Sequence, residues 1–162
     1  MVKSLWSIAV FAVCFTVTGV TFAQSTIKSD YDHPSYTFEA EPHFVVTPFH
    51  EGGGVGAGFA GTFNVADRGF IRRLNDSVGV GFAANWTTNE HFILSGAMQW
   101  NFWFTKHWSA FGEPGLALTT GDKDLHFWPH LGAGGRYAFN PNVTLTLRLG
   151  FPASSVGISF LL

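Results

Sequence analysis

The sequence predicts an all-β fold, an eight-stranded antiparallel up-and-down transmembrane β-barrel that follows a cleaved signal peptide. The first observation is the stretch Val143–Phe151, where every odd position is apolar and every even position is Thr, Arg or Gly. A period of two is typical of strands. The second is that only 12 % of the residues are charged, against about 25 % in a soluble domain. The third is that no apolar run beyond the N-terminus could cross a bilayer as a helix, whereas alternating strands hide a lipid-facing band from hydropathy.

The N-terminus has the organisation of a secretory signal peptide. Lys3 supplies a basic start, Leu5–Val20 is apolar, and Ala23 is a small residue at the expected cleavage point. We therefore divide the chain into a signal peptide over 1–23, a flexible periplasmic lead-in over 24–35, and an outer-membrane barrel over 36–162.

The net charge and the single cysteine limit the classes of function that this chain could have. The nine basic residues include Lys3 of the leader, which leaves eight against eleven acidic residues after cleavage. This acidic balance gives no reason to expect a nucleic-acid partner. The single cysteine, Cys14, lies in the leader, so no thiol or disulfide chemistry is expected in the mature chain. The leader and the strand pattern together predict a protein of the bacterial outer membrane, secreted across the inner membrane.

After the lead-in the chain divides into eight alternating segments. The predicted strands are Tyr36–Phe49, Gly54–Asn64, Val78–Trp86, His91–Phe104, Trp108–Thr120 and Leu125–Phe139, followed by two strands within Val143–Leu162. Each has about the 9–11 residues that cross a membrane at a tilt, or somewhat more. Eight strands close into the smallest common barrel, whose interior side chains just fill. Closure is required because an open sheet edge is not tolerated in lipid.

Three features depart from a regular barrel pattern or mark its ends. Pro114 and Pro129 cannot donate ladder hydrogen bonds, so we expect a β-bulge at one or both. The segment Ala66–Ser77 is long, although it falls on the predicted periplasmic side, where turns are expected to be short. Aromatic side chains gather near the strand ends, as interfacial girdles do. They are Phe104, Trp108, Tyr137 and Phe139 at one rim, and Trp86, Phe92 and Phe151 at the other.

The alternation places a set of charged and polar side chains on the inward faces. Because an unpaired buried charge is costly, we interpret them as an ion-pair and hydrogen-bond network that fills the lumen. A short outer turn would place Glu113 beside or one step from His130, and a turn centred on Pro141 would set Arg136 diagonal to Arg148. Two alternatives stay open: a carboxylate–His pair for acid–base chemistry, and a narrow polar path for ions or small solutes. The predicted network comprises Glu39, Glu41, His43, Gln99, Asn101, Glu113, His130, Arg136 and Arg148.

Two further motifs match binding-site patterns in spacing but not in structural context. Gly56–Gly61 reads G-x-G-x-x-G, but a dinucleotide site needs a preceding strand and a following helix, and these glycines fit the small-residue face of a strand. His126 and His130 are four residues apart, a metal-binding spacing on a helix but not on a strand. We therefore predict no catalytic residue, no metal site and no cofactor.

Three stretches resemble small eight-stranded outer-membrane barrel proteins of the OmpA or OmpX transmembrane type. They are Met98–Trp103, Phe111–Leu116 and Ser155–Leu162. The resemblance implies a last strand that closes the barrel and carries an assembly signal read by the barrel-assembly machinery. Its residues here are Val156, Ile158, Phe160 and Leu162, with Phe160 two positions before the end. We expect outer-membrane lipid as the surroundings and a monomer as the functional unit.

The function predicted from these observations is structural. We expect a non-enzymatic barrel with a role in membrane integrity, with a narrow channel for ions or small solutes as the first alternative. The second alternative is a lipid A-modifying enzyme, because the architecture resembles that of the lipid A deacylases, which use a His-x-Ser pair with a carboxylate. The His-x-Ser here is His107-Trp108-Ser109. It falls at a predicted periplasmic turn, whereas that chemistry faces the outer leaflet, and no acid is placed to orient His107.

Overall fold

The structure is a computed structural model that describes residues 33–48, 53–71, 74–88, 92–120 and 125–162. The predicted signal peptide over 1–23 and most of the lead-in lie outside the described residues. Among the residues that are described, no helix is long and apolar enough to cross a membrane.

Eight antiparallel strands form one closed barrel, which confirms the predicted fold class. The strands are β1 Phe38–Val46, β2 Val55–Ala66, β3 Asp76–Thr87, β4 Phe92–Trp103, β5 Trp108–Thr120, β6 Leu125–Asn140, β7 Val143–Phe151 and β8 Ser154–Leu161. Each strand pairs with its neighbours in sequence, and β1 pairs with β8 to close the wall. β1 is shorter at both ends than the predicted Tyr36–Phe49, and β3 begins at Asp76 rather than at Val78.

Strict alternation gives the wall two chemically different faces, because successive side chains of a strand point to opposite sides of the sheet. The outward positions are large, apolar and exposed, as Phe44 at 74 %, Leu116 at 67 % and Phe127 at 75 % show. The inward positions are polar, small or aromatic and are buried. An apolar exterior around a polar interior reverses the arrangement of a water-soluble protein.

The expectation of a bulge at Pro114 or Pro129 is wrong. Trp108–Thr120 of β5, which contains Pro114, pairs with Leu125–Tyr137 of β6, which contains Pro129, and the register does not shift. At Pro114 the β4–β5 ladder lacks its pairs between Ala97–Gly115 and Trp100–Gly112 and resumes unshifted. Pro129 precedes Leu131, where the β6–β7 pairing begins, so it has a partner strand on one side only. A proline at such a half-paired position does not break a ladder.

The real register shifts lie at the rim that carries both barrel termini. One falls between Asn64 and Ala66 of β2, and the other between Ala138 and Asn140 of β6. Bulges are common at barrel rims, where they end or redirect pairing. The shift in β2 leads directly into the long segment before β3.

Aromatic side chains mark both rims. At the rim of the termini, the ring of Tyr137 packs against Trp108 with centroids 4.9 Å apart and against Phe139 with centroids 5.4 Å apart. At the opposite rim, Trp86 pairs with Phe92 across β3 and β4. Aromatic rings at both ends of an apolar band are typical of membrane barrels.

Candidate functional site in the barrel lumen

All nine polar residues predicted for the lumen are buried on the inner face of the wall. Their exposure runs from 1 % for Arg136 to 8 % for His130 and Arg148. They come from β1, β4, β5, β6 and β7, so distant parts of the sequence meet at the barrel axis. The network is therefore a product of closure and is not present in any one hairpin.

Glu39 and Arg136 form the first charged group, which lies toward the rim of the termini. Nη2 of Arg136 donates to Oε1 and Oε2 of Glu39 at 2.8 and 2.7 Å. Nη1 of Arg136 donates to Oδ1 of Asn101 at 2.7 Å. Asn101 in turn donates to Gln99 at 3.3 Å, which links this pair to the second group.

Arg148 forms the second group, with Glu41 and Glu113 on either side; we call these three residues the Arg148 cluster. Its guanidinium donates to both oxygens of Glu41 at 2.6 and 3.0 Å. It also donates to both oxygens of Glu113, at 2.6 Å from Nε and 3.2 Å from Nη2. Nε2 of Gln99 adds a bond to Glu113 at 2.7 Å. Arg148, on β7, thus connects Glu41 on β1 with Glu113 on β5.

The cost of burying charge explains why the carboxylates and guanidiniums are in direct contact. Removing an ion from water costs several kcal/mol, and only close, fully hydrogen-bonded partners offset that cost. Three carboxylates here share two guanidiniums. The Phe111 ring also lies close to both cations, 4.6 Å from Cζ of Arg136 and 5.3 Å from Cζ of Arg148, within the range of a cation–π interaction.

The two lumen histidines lie beside the carboxylates of the Arg148 cluster. Nδ1 of His43 is 3.5 Å from Glu41, and Nε2 of His130 is 3.9 Å from Glu113. Glu113 pairs with Gly132 in the β5–β6 register, so His130 is diagonal to it, as one of the predicted turns requires. Arg136 is likewise diagonal to Arg148, because Arg148 pairs with Gly134.

A small cavity of about 40 Å³ lies on the side of the Arg148 cluster away from the termini. Its polar lining includes His43, Asn85, Ser95, His130 and Ser155. A cavity needs roughly 10–15 Å³ for each water molecule. This space therefore suits a few waters and is too small for an organic solute.

Apolar side chains close the lumen at the rim of the termini. Tyr36, Trp103 and Leu161 pack together there, and each is buried. His33 stacks on Trp103 with ring centroids 5.9 Å apart. Tyr36 precedes β1, and burial raises the pKa of its phenol to about 12.

Several network members come from residues that the sequence did not single out. Oδ1 of Asn85 accepts a bond from Nε2 of His43 at 2.6 Å. Ser155 accepts from Arg148 at 3.2 Å, and Ser159 donates to Glu41 at 3.2 Å. Their inward parity was visible in the alternation, but their partners depend on cross-barrel distances. The predicted assembly-signal residues Val156, Phe160 and Leu162 lie on the outer face instead, and all three are exposed.

Solved structures with the same architecture were found by comparison. A structure from the de novo design of transmembrane β-barrels matches 80 % of this chain and 99 % of its own, with a TM-score of 0.56 and 16 % identity. The fold is that of a transmembrane β-barrel. The outer membrane protein Ail of Yersinia pestis, in a phospholipid bilayer nanodisc, matches at TM-score 0.48 and 11 % identity over 79 % of this chain and 100 % of its own. Neisserial surface protein A matches at 0.44 and 13 % over 77 % and 96 %. No protein-family model and no curated protein matches the sequence.

The other motifs find structural roles in this transmembrane β-barrel. Gly56, Gly58 and Gly61 lie within β2, which runs on to Ala66 without a helix. Nδ1 of His107 donates to the carbonyl of Ala138 at 3.0 Å, and its ring stacks on Tyr137.

Of the residues considered for chemistry, Glu113 and His130 meet at the lumen cavity, whereas the His-x-Ser pair and the two histidines of β6 do not come together. Ser109 is buried on the inner face of β5, whereas His107 stacks on the outward-facing Tyr137. His126 is exposed on β6, four residues from the buried His130. Within the described ranges, no group of three or more His, Cys, Asp or Glu side chains could hold a metal ion.

Glycine at position 58 is required by the contact between His43 and Asn85. A Cβ at Gly58 would lie 2.1 Å from Oδ1 of Asn85, 2.6 Å from Nε2 of His43 and 2.8 Å from the carbonyl of Ala84. We expect Gly58→Ala to lower the free energy of unfolding by ~1–3 kcal/mol, the usual cost of overpacking. Urea titration of the refolded barrel, read by the fraction that stays folded on cold gel electrophoresis, measures this. Gly112→Ala is the matched control, since nothing lies within 4 Å of its Cβ. Equal stability of the two variants would contradict the assignment.

Proposed function

We propose that this chain is a non-enzymatic, monomeric barrel of the bacterial outer membrane with a structural role in membrane integrity. Its exterior fits the hydrocarbon of a bilayer, and its interior is a fixed polar core. The single observation that carries the proposal is the way that core is filled. The Glu39–Arg136 pair and the Arg148 cluster connect opposite walls of the lumen with bonds of 2.6–3.2 Å.

A filled lumen favours a structural role over a channel. Below the cavity, the path along the axis meets the Arg148 cluster, then Phe111 and the Glu39–Arg136 pair, then the Tyr36–Trp103–Leu161 group. An ion on that path would have to displace paired charges, each of which costs several kcal/mol to separate in a buried site. Glu113 and His130 do line the lumen cavity, but its ~40 Å³ is too small for an organic substrate.

The proposal has a test with two arms. Purified protein in planar bilayers is expected to give no discrete conductance steps, while a general porin in the same bilayer gives them. A host strain without this chain is expected to admit more of a large antibiotic that the outer membrane normally excludes, and plasmid-borne wild type should restore exclusion. Discrete steps from the pure protein would favour the channel alternative. Altered lipid A acylation on overexpression would favour the enzyme alternative, and both outcomes contradict a structural role.

A further inference from the structure

Residues 67–71, at the start of the connection between β2 and β3, form a segment that lies against the outside of the wall. The backbone N–H of Gly69 donates to the carbonyl of Asp76 at 2.7 Å. Nε1 of Trp100, an outward residue of β4, donates to Oδ2 of Asp76 at 2.9 Å. The outward positions Asp76 and Val78 are consequently only 2 % and 3 % exposed, whereas the next one, Val80, is 54 % exposed. The segment therefore covers the wall near this rim.

The segment is held at two positions, Gly69 and Asp67. A Cβ at Gly69 would lie 2.1 Å from Oδ2 of Asp76, so the backbone approaches the wall as closely as only glycine permits. Two residues earlier, Asp67 accepts bonds from Asn64 at 3.1 Å, Ser35 at 3.3 Å and His33 at 2.8 Å. These contacts tie the segment to the barrel and to the chain before β1.

Its apolar side chains point away from the barrel. Phe70 is 70 % exposed and Ile71 is 40 % exposed, while the Phe70 ring keeps an edge-on contact with Trp100, centroids 6.3 Å apart. Through Trp100, an outward residue of β4, Phe70 joins the apolar exterior of the wall, where Val65 and Val80 are also exposed. Arg68, two residues before Phe70, is exposed as well. A fixed aromatic and aliphatic pair beside a cation is the composition of a membrane-interface anchor.

We propose that residues 67–71 form an interfacial anchor that inserts Phe70 and Ile71 at the boundary between phospholipid headgroups and acyl chains, with Arg68 at headgroup level. The occupant of this surface is lipid, because the surface is continuous with the apolar exterior of the barrel. The inference rests on the proposed membrane function. It accounts for a segment at this rim that is longer than a barrel turn requires.

Spin-label depth measurements test the anchor. A nitroxide is attached to Phe70→Cys or Ile71→Cys of the full chain, with Cys14→Ser, and the folded barrel is placed in phosphatidylcholine vesicles. Collision of the label with oxygen and with a water-soluble nickel chelate is measured by power saturation. Labels at 70 and 71 are expected to collide more with oxygen than with the chelate. Val80→Cys supplies the lipid reference, and Lys106→Cys, in the exposed β4–β5 turn at the same rim, supplies the water reference.

The two references separate failure of the anchor from failure of the proposed function. If the label at 80 reports lipid but those at 70 and 71 match the label at 106, the anchor is overturned and the membrane barrel stands. If the label at 80 also collides mainly with the chelate, the membrane location itself is wrong. Heat-modifiability of each labelled protein verifies that the barrel has folded, and position 71 replaces position 70 if the first variant fails that check.

Discussion

Arg148→Met is expected to lower the free energy of unfolding of the barrel by ~3–5 kcal/mol, the usual cost of removing one partner from a buried ion pair. The substitution leaves Glu41 and Glu113 in the lumen without the guanidinium that donates to all four of their oxygens. It also removes the donor to Ser155. Urea or guanidinium titration of refolded protein, followed by the heat-modifiable band, gives the difference in stability.

Two variants separate the loss of the ion pairs from the loss of an arginine as such. Arg68→Met removes an exposed arginine, and surface substitutions usually change stability by less than about 0.5 kcal/mol. The triple variant Glu41→Gln, Glu113→Gln, Arg148→Met removes the whole set of charges and is expected to regain at least half of the loss. If Arg148→Met were as stable as Arg68→Met, the Arg148 cluster would not hold the barrel together.

The facing of nearly every strand was predictable from the sequence because the period of two carries that information by itself. Once Glu39, Glu41 and His43 alternate with Phe38, Ala40 and Phe44, the polar set has to turn inward if the apolar set meets lipid. The same reasoning placed Glu113 and Arg136 on the inner face. Alternation survives Pro114 and Pro129 because a proline removes a hydrogen bond without adding a residue, so the β-bulge expected there does not occur.

The partners of each lumen side chain were less predictable. Diagonal relations across one hairpin, such as Arg136 with Arg148, follow from a turn length. The pairing of Arg136 with Glu39 joins residues 97 positions apart, on strands that are not adjacent, and it depends on the diameter of the closed barrel. Asn85 was visible as an inward residue, but its bond to His43 requires Gly58 to leave the space between them.

The segment between β2 and β3 was the least predictable part of the fold. Its length and its mixed composition suggest a loop, and no periodicity marks it as part of the wall. What fixes residues 67–71 is the bond from Gly69 to the backbone of Asp76, together with the contact between the rings of Phe70 and Trp100. Such contacts depend on the β3–β4 register, which places Asp76 opposite Phe102 and so brings Trp100 within reach.

Glu39 and Arg136 are expected to be strongly coupled. In a double-mutant cycle with Glu39→Met and Arg136→Met, each single variant should lose ~3–5 kcal/mol, because each leaves one buried charge without its partner. The double variant should lose less than the sum of the two single losses, and the difference, the coupling energy, should be ~2–3 kcal/mol, at the upper end for residues in one network. Replacement of both charges by apolar side chains of similar volume removes the cost of desolvation together with the attraction.

A neutral pair in the same lumen shows how much of that coupling comes from charge. Oγ1 of Thr146 and Oγ of Ser159 are 2.7 Å apart and buried, like the ion pair. The cycle Thr146→Val, Ser159→Ala should give a coupling of only ~0.5–1.5 kcal/mol, the net value of an ordinary hydrogen bond. Similar couplings for the two cycles would mean that packing around Phe111 holds Arg136 in place and that the bidentate bond to Glu39 adds little. A coupling at least twofold larger for the charged pair would instead mean that the bidentate bond between Glu39 and Arg136 itself stabilises the closed barrel.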